Sequence, residues 1–396
     1  MNKVRLGDTC EILNGYAFKS ENYVTEGIRV IRIANVQKGY IEDKEPQYYP
    51  IDFEEDITKY FLYENDLLIS LTGNVGRVAL LPKEMLPAAL NQRVACLRMN
   101  AKSDISKDYL FHYLNSDKFE NDCITSSKGV AQKNMSTEWL KNYEIPVFSQ
   151  VKQRHISILL SLIDSLIEKE KLQLQKSDEL IKSQFVEMFG DPVINPYNWQ
   201  SLKIKKAVEV EPQNGLYKPQ SDYVADKSGV PILRIDGFYN GKVVDFQKLK
   251  RLMCTKEEFD KYRLVENDIV INRVNSLEYL GKCACISGLI EGTVFESNMM
   301  RMHFYDERFN PIYITFLLCS KFTYNQIIRH AKKAVNQASI NQKDVLDLNI
   351  YEPPIDLQNQ FADFVSKVEQ QKATIQKSIN KLETLKESLM QEYFGA

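Results

Sequence analysis

Few residues in this chain stand where they could make or break a covalent bond. Asn195-Pro196-Tyr197 has the amide, proline and aromatic ring of a loop that presents an amino group for methyl transfer. It lacks the second proline of such loops, and no glycine-rich cofactor turn lies upstream. Glu42-Asp-Lys44 has the Glu-x-Lys spacing of metal-dependent nucleases without a Pro-Asp partner before it. The four histidines are scattered, and no Gly-x-x-x-x-Gly-Lys phosphate loop occurs. Cys283-Ala-Cys285 is too closely spaced for a zinc knuckle and reads as two thiols on one side of a strand. Seven cysteines at irregular spacing fit a reducing compartment better than a disulfide framework. The chain reads as one that binds and does not catalyse.

The side chains that remain are amides and cations in polar turns, the types that address nucleic acid. Asn and Gln match the edge of adenine, Arg that of guanine, and lysines hold phosphate. In the first half these are Lys19 in Asn14-Gly-Tyr-Ala-Phe-Lys19, then Asn74 and Arg77 in Thr72-Gly-Asn-Val-Gly-Arg77. Asn91, Gln92 and Arg93 follow, with Asn91 and Arg93 expected on one strand face, and then Lys128, Gln132 and Lys133. The second half offers Lys218, Arg273, Asn275, Lys282, Asn298, Arg301, Lys332, Lys333 and Gln337. Each has a plainer alternative: an ordinary glycine hairpin, a capping amide, a solvated loop, or inward packing of Tyr16 and Phe18. Arg32 and Arg234, in apolar strands, can snorkel or pair internally. A net charge of −2 excludes a uniformly basic nucleic-acid binder but leaves room for local basic surfaces.

The elements carrying these residues occur twice. Gly27-Ile-Arg-Val-Ile-Arg32 reads against Gly229-Val-Pro-Ile-Leu-Arg234, and Glu64-Asn-Asp-Leu-Leu-Ile-Ser70 against Glu266-Asn-Asp-Ile-Val-Ile-Asn272, both at an offset of 202 residues. Val130-Ala-Gln132 and Val335-Asn-Gln337, like Phe189-Gly190 and Phe394-Gly395, match at 205. A tandem duplication explains matches that keep their order with so little drift, and its unit is far longer than a solenoid repeat. On this reading Glu187-Met-Phe-Gly-Asp-Pro192 is the seam, where glycine and proline end a helix.

Each copy divides into a strand-rich globule and a long helix. Short alternating runs such as Val30-Ile-Arg-Ile-Ala predict strands, while 108–119 reads as one helix with 311–318 as its counterpart. From Val151 to Met188 there is no Gly or Pro, and Leu160, Ile167, Leu174, Ile181 and Met188 recur every seventh residue. Phe361, Val368, Ile375, Leu382 and Leu389 do the same. That period predicts coiled-coil packing, with the two helices antiparallel and about 57 Å long. The expected fold class is α+β: two tandem-related mixed α/β domains separated by two long antiparallel coiled-coil helices, with a pseudo-two-fold. The bounds are 1–150, 151–190, 191–355 and 356–396. No apolar run is long enough to span a membrane and the N-terminus is not a signal peptide, so a cytoplasmic location is expected.

This order of globule, helix, globule and helix resembles the specificity (S) subunit of type I restriction–modification enzymes over essentially the full chain. The segments that carry the resemblance are Leu6-Gly-Asp8, Asn14-Gly-Tyr-Ala-Phe-Lys19, Ser70-Leu-Thr-Gly-Asn-Val-Gly-Arg77 and Gly129-Val-Ala-Gln-Lys-Asn134. Ile145-Pro-Val-Phe-Ser-Gln-Val-Lys-Gln153, Met188-Phe-Gly-Asp-Pro192 and Pro353-Pro-Ile-Asp-Leu-Gln358 complete them. The resemblance implies two target-recognition domains that read a bipartite duplex DNA site, and helices that act as spacer and dock two methyltransferase (M) subunits. Restriction (R) subunits would join the full complex. It also implies a subunit with no chemistry and no cofactor of its own; S-adenosylmethionine, ATP and magnesium would sit on the partners. Two other readings stay open at this point: the S subunit of a related system with a fused modification and cleavage partner, and a coiled-coil scaffold that binds no DNA.

Overall fold

The computed structural model describes residues 2–53, 57–127, 134–335 and 337–395. They form two compact units, one of residues 1–172 with 376–396, the other of 173–375.

The first unit is built on an antiparallel sheet ordered Cys10–Asn14, Val94–Met99, Leu67–Ser70, Val78–Leu80. Leu67–Ser70 is buried throughout because both faces of the strand are covered, which is why it reads as a continuous apolar run. Leu67 and Ile69 enter one core with Tyr109, Leu110 and Leu160; Leu68 enters another with Val36, Leu81 and Leu90. A second sheet, Tyr48–Tyr49, Ile28–Ile31, Ala88–Leu90 and Phe61–Leu62, contains one parallel pair, Ile28–Ile31 with Ala88–Leu90. Where one helix is expected over 108–119 there are two, Lys107–Leu114 and Asp117–Ser126. Ser116 breaks the run: its side chain accepts from Phe119 N–H and starts the second helix.

The second unit has the same plan. Its larger sheet is ordered Val208–Asn214, Met299–Phe304, Ile269–Asn272, Cys283–Cys285, Gly241–Val243, Phe238–Tyr239. Ile269 and Ile271 face one core and Val270 another. Val230–Leu233 runs parallel to Val294–Phe295, and the helix pair is Pro311–Leu318 and Lys321–His330. Cys283 lies in the core, with its sulfur 3.3 Å from that of Cys319.

The repeated Glu-Asn-Asp has a structural purpose. Asn65 and Asn267 take positive φ of 62° and 70°, a conformation asparagine tolerates. The following aspartate closes each turn, accepting from Tyr63 N–H and Val265 N–H, both at 2.9 Å. Arg98 then grips Asp66 with two bonds, of 2.8 and 3.2 Å. In the second unit Arg301 and His303 share Asp268, at 3.1 and 3.0 Å.

Two 40-residue helices, Gln150–Phe189 and Ile355–Phe394, each contribute to both units. In the first unit Asp164 pairs with Lys386, Lys171 with Glu383 (3.3 Å), and Ser378 donates to Glu170 (2.7 Å). From Asp164–Lys386 to Glu170–Ser378 one number rises as the other falls, so these segments run in opposite directions. The last turn of the C-terminal helix enters the core of this unit, the Phe394 ring 5.7 Å from Tyr109 and 5.4 Å from Tyr113. In the second unit Phe189 ends the central helix against Tyr313 at 4.6 Å and Phe361 at 5.6 Å, and Asp178 pairs with Lys372.

Leu160 and Ile181 are core residues, as is Val368; Ile167 is buried, Leu389 packs half-buried on the first core, and Leu174, Ile375 and Leu382 are half-buried. The central helix stops at Gly190, whose φ of +77° suits glycine and whose N–H donates to Val186 O. Asn195-Pro196-Tyr197 is part of that stop. Tyr197 donates to Glu187 O, and Trp199 donates its ring N–H to Phe189 O.

Candidate nucleic-acid interface

In the first unit the turn after Ala88–Leu90 presents Gln92 and Arg93 to solvent. The expected shared strand face of Asn91 and Arg93 is not formed. Asn91 is buried, and its side-chain oxygen accepts from Arg93 N–H at 3.2 Å, so the amide shapes the turn that exposes its neighbours. Arg93 O accepts from Leu71 N–H, and Thr72 bridges to Asn134, which joins this turn to the start of the glycine loop. Asn74 is exposed at that loop's tip. Gly76, at φ +80°, faces Cys123 so closely that a Cβ would meet its sulfur at 2.8 Å. Arg77 turns aside to donate to the Gln37 side chain. Lys19 is exposed, 3.9 Å from Glu21. Phe18 is buried beneath it against Tyr49. Lys128, Gln132 and Lys133 lie outside the described residues.

The second unit gathers more of its candidates. A three-stranded sheet pairs Val274–Asn275 with Ala338–Ser339, and Ala338–Ser339 with Lys332–Lys333. Asn298 O accepts from the N–H groups of Arg273 and Val274, and Gln337 O from that of Ala334. Arg273, Asn275, Asn298, Lys332, Lys333 and Gln337 thus share one region. The register shows Asn298 as the counterpart of Arg93: their carbonyls accept from the equivalent Arg273 and Leu71 N–H groups.

Three candidates stand apart from that region or are already engaged. Lys218 pairs with Glu258 at 2.9 Å and Asp222 at 3.6 Å. Arg301 is held by Asp268 and by Arg263 O. Lys282, the counterpart of Arg77, donates to Ile235 O at 2.7 Å with its ammonium 3.9 Å from the Tyr239 ring centre. Burial there holds its pKa below the usual lysine value, with Asp236 opposing the shift. Arg32 and Arg234 also have internal partners, Glu45 O and the Tyr223 hydroxyl.

The chain matches the type I restriction modification DNA specificity domain twice, over residues 1–176 and 196–384. It belongs to that family. It is 33% identical over 225 residues to a candidate type I restriction enzyme specificity subunit (MjaX) of Methanocaldococcus jannaschii, covering 56% of this chain and half of that protein's length. Against the EcoKI specificity subunit of Escherichia coli it is 23% identical over 391 residues, 93% of this chain and 82% of that one. The crystal structure of a type I restriction–modification S subunit from M. genitalium superposes with a TM-score of 0.59 at 13% identity, over 98% of this chain and 94% of that one, a likeness of fold.

Within this specificity-domain chain, no group of three or more His, Cys, Asp or Glu among the described residues could hold a metal, and no helix is long and apolar enough to cross a membrane. Sequence reading alone missed the partners that engage Arg77, Lys218 and Arg301. Gln37 lies 40 positions from Arg77 and Asp268 lies 33 from Arg301, separations that no local pattern reports.

Proposed function

We propose that this chain is the DNA specificity subunit of a type I restriction–modification system, in which each globular part reads one half of a two-part duplex site. One observation carries the reading: the specificity domain occurs twice, and the reader turns at equivalent places differ. Gln92-Arg93 in the first copy stands where Ser297-Asn298 stands in the second. Readers built on one frame with different tips suit two half-sites of different sequence. Arg93 fits guanine, Asn298 fits adenine, and the lysines position the frame on phosphate.

The long helices act as the spacer, a coiled coil that relates the copies by a pseudo-two-fold. The antiparallel ion pairs and the recurrence of the frame at 202–205 residues support this. Half-sites read from one side of a duplex lie a helical turn apart, about 34–36 Å, or a multiple of it. Helices of about 60 Å are long enough to set such a spacing. The chain does no chemistry itself. Two methyltransferase subunits dock on it with S-adenosylmethionine, restriction subunits join with ATP and magnesium, and the assembly is cytoplasmic.

The test is reconstitution with the cognate methyltransferase and mapping of methylated sites. The reading requires a two-part motif with a fixed gap, and an Arg93→Ala complex altered in one half only. Methylation that is independent of this chain rejects it.

A further inference from the structure

Lys332–Lys333 and Ala338–Ser339 form a short antiparallel hairpin, closed by Ala334 N–H donating to Gln337 O at 2.7 Å. Val335, at its tip, is 99% exposed. A valine does nothing for such a turn, which glycine, asparagine or aspartate would serve better, and here it buries nothing. Lys332 and Lys333 are exposed and form no ion pair with a described residue. The hairpin's other edge is paired with Val274–Asn275, so an apolar tip flanked by exposed lysines extends the sheet that carries the candidate readers of this unit.

The sequence repeats part of this pattern, with Ser127 standing where the second half has Lys332. Lys333-Ala-Val-Asn-Gln337 has its counterpart in Lys128-Gly-Val-Ala-Gln132, with lysine, valine and glutamine unchanged at an offset of 205. The reader turns around it are not kept: Gln92-Arg93 becomes Ser297-Asn298, and Thr72-Gly-Asn74 has no equivalent. A feature held constant in both readers addresses something common to both halves of the complex, and exposed lysines beside an apolar tip suit what any two half-sites share. That is the sugar–phosphate backbone and the shape of the groove.

We propose that the hairpin of Lys332–Lys333 and Ala338–Ser339 is a sequence-independent DNA clamp: Val335 packs into the minor groove against deoxyribose carbons while Lys332 and Lys333 hold the flanking phosphates. Apolar side chains used in this way contact any sequence, and lysines at their sides supply the salt-dependent attraction. The inference rests on the reading of the chain as a DNA specificity subunit and adds a residue whose role is grip, separate from base selection.

The experiment uses the complex reconstituted with the methyltransferase, its cognate duplex, a scrambled duplex, and methylation mapping. Val335→Ala is expected to weaken binding of both duplexes by the same factor, ~3- to 10-fold, the value of an apolar contact of this size. Val335→Asp weakens both by at least ~10-fold, since it sets a carboxylate against phosphate. Val335→Leu keeps binding, and the methylated motif is unchanged in all three. Wild-type affinity in the Asp variant, loss of binding in the Leu variant, or a changed base in the motif overturns the clamp while leaving the specificity-subunit reading intact. A wild-type complex that does not distinguish the two duplexes overturns that reading and the clamp with it.

Discussion

Phe394 is the last residue of the C-terminal helix, yet it is buried in the core of the unit that begins with residue 1. Its ring meets Tyr109 and Tyr113 edge-on, and the counterpart Phe189 meets Tyr313 in the other unit. Phe394→Ala removes a buried ring from a site closed by Tyr109 and Tyr113. Such a deletion costs ~3–5 kcal/mol, of which the aromatic contacts supply ~0.5–1.5 kcal/mol each. In a unit of this size each kcal/mol lowers the melting temperature by ~2–4 °C, so a drop of ~6–20 °C follows. The chain supplies one reporter per unit, Trp139 in the first and Trp199 in the second. With Trp199→Phe as background, thermal unfolding followed by Trp139 fluorescence should show the drop. With Trp139→Phe as background, the Trp199 transition should move far less. A Trp139 transition unmoved by Phe394→Ala would falsify the placement of the C-terminal turn in the first core.

Other perturbations follow from the same geometry. His112 is buried against Ser161, and burial pushes its pKa down to about 4 from an ordinary 6.5. The unfolded chain therefore takes up the proton first. Stability of the first unit should fall as pH drops from 6.5 towards 4, by about 3 kcal/mol in all, and this group adds no pH dependence above that window. His112→Gln should flatten this slope in urea titrations across pH. Arg98→Ala strands the Asp66 carboxylate and should cost about 3 kcal/mol by denaturation, whereas Arg301→Ala costs less because His303 still faces Asp268. In the reconstituted complex Arg93→Ala should relax one base position at a cost of ~1–3 kcal/mol, read by binding to single-base variants. Lys332→Ala with Lys333→Ala should weaken all sequences alike and lower the slope of log affinity against log salt by about 1 per lysine.

Much of the frame was legible because its signals are local or repeated. Glu-Asn-Asp followed by an apolar run marks a turn and a buried strand wherever it occurs, and the family and its mixed α/β fold follow from such segments in order. The absence of Gly and Pro from 151 to 188 is what lets the central helix run unbroken to Phe189. Long-range pairing was not legible. Nothing near Ile28–Ile31 announces that it will run parallel to Ala88–Leu90, and nothing in the sequence separates Ser116, whose hydroxyl caps a second helix, from one polar residue within a single helix. The site suffered most. Cationic side chains look alike in sequence, but Arg301 pairs with a buried carboxylate and Arg93 stands exposed, a difference set by strands that meet only in the fold.

The measurement that bears most directly on the account is a map of modified bases across the host genome, taken with and without this gene and again with Arg93→Ala. Two unlike readers on one frame predict a single two-part motif with a constant gap, absent after deletion and degenerate in one half alone in the variant. An unchanged map after deletion, or a motif in one uninterrupted block, would contradict it.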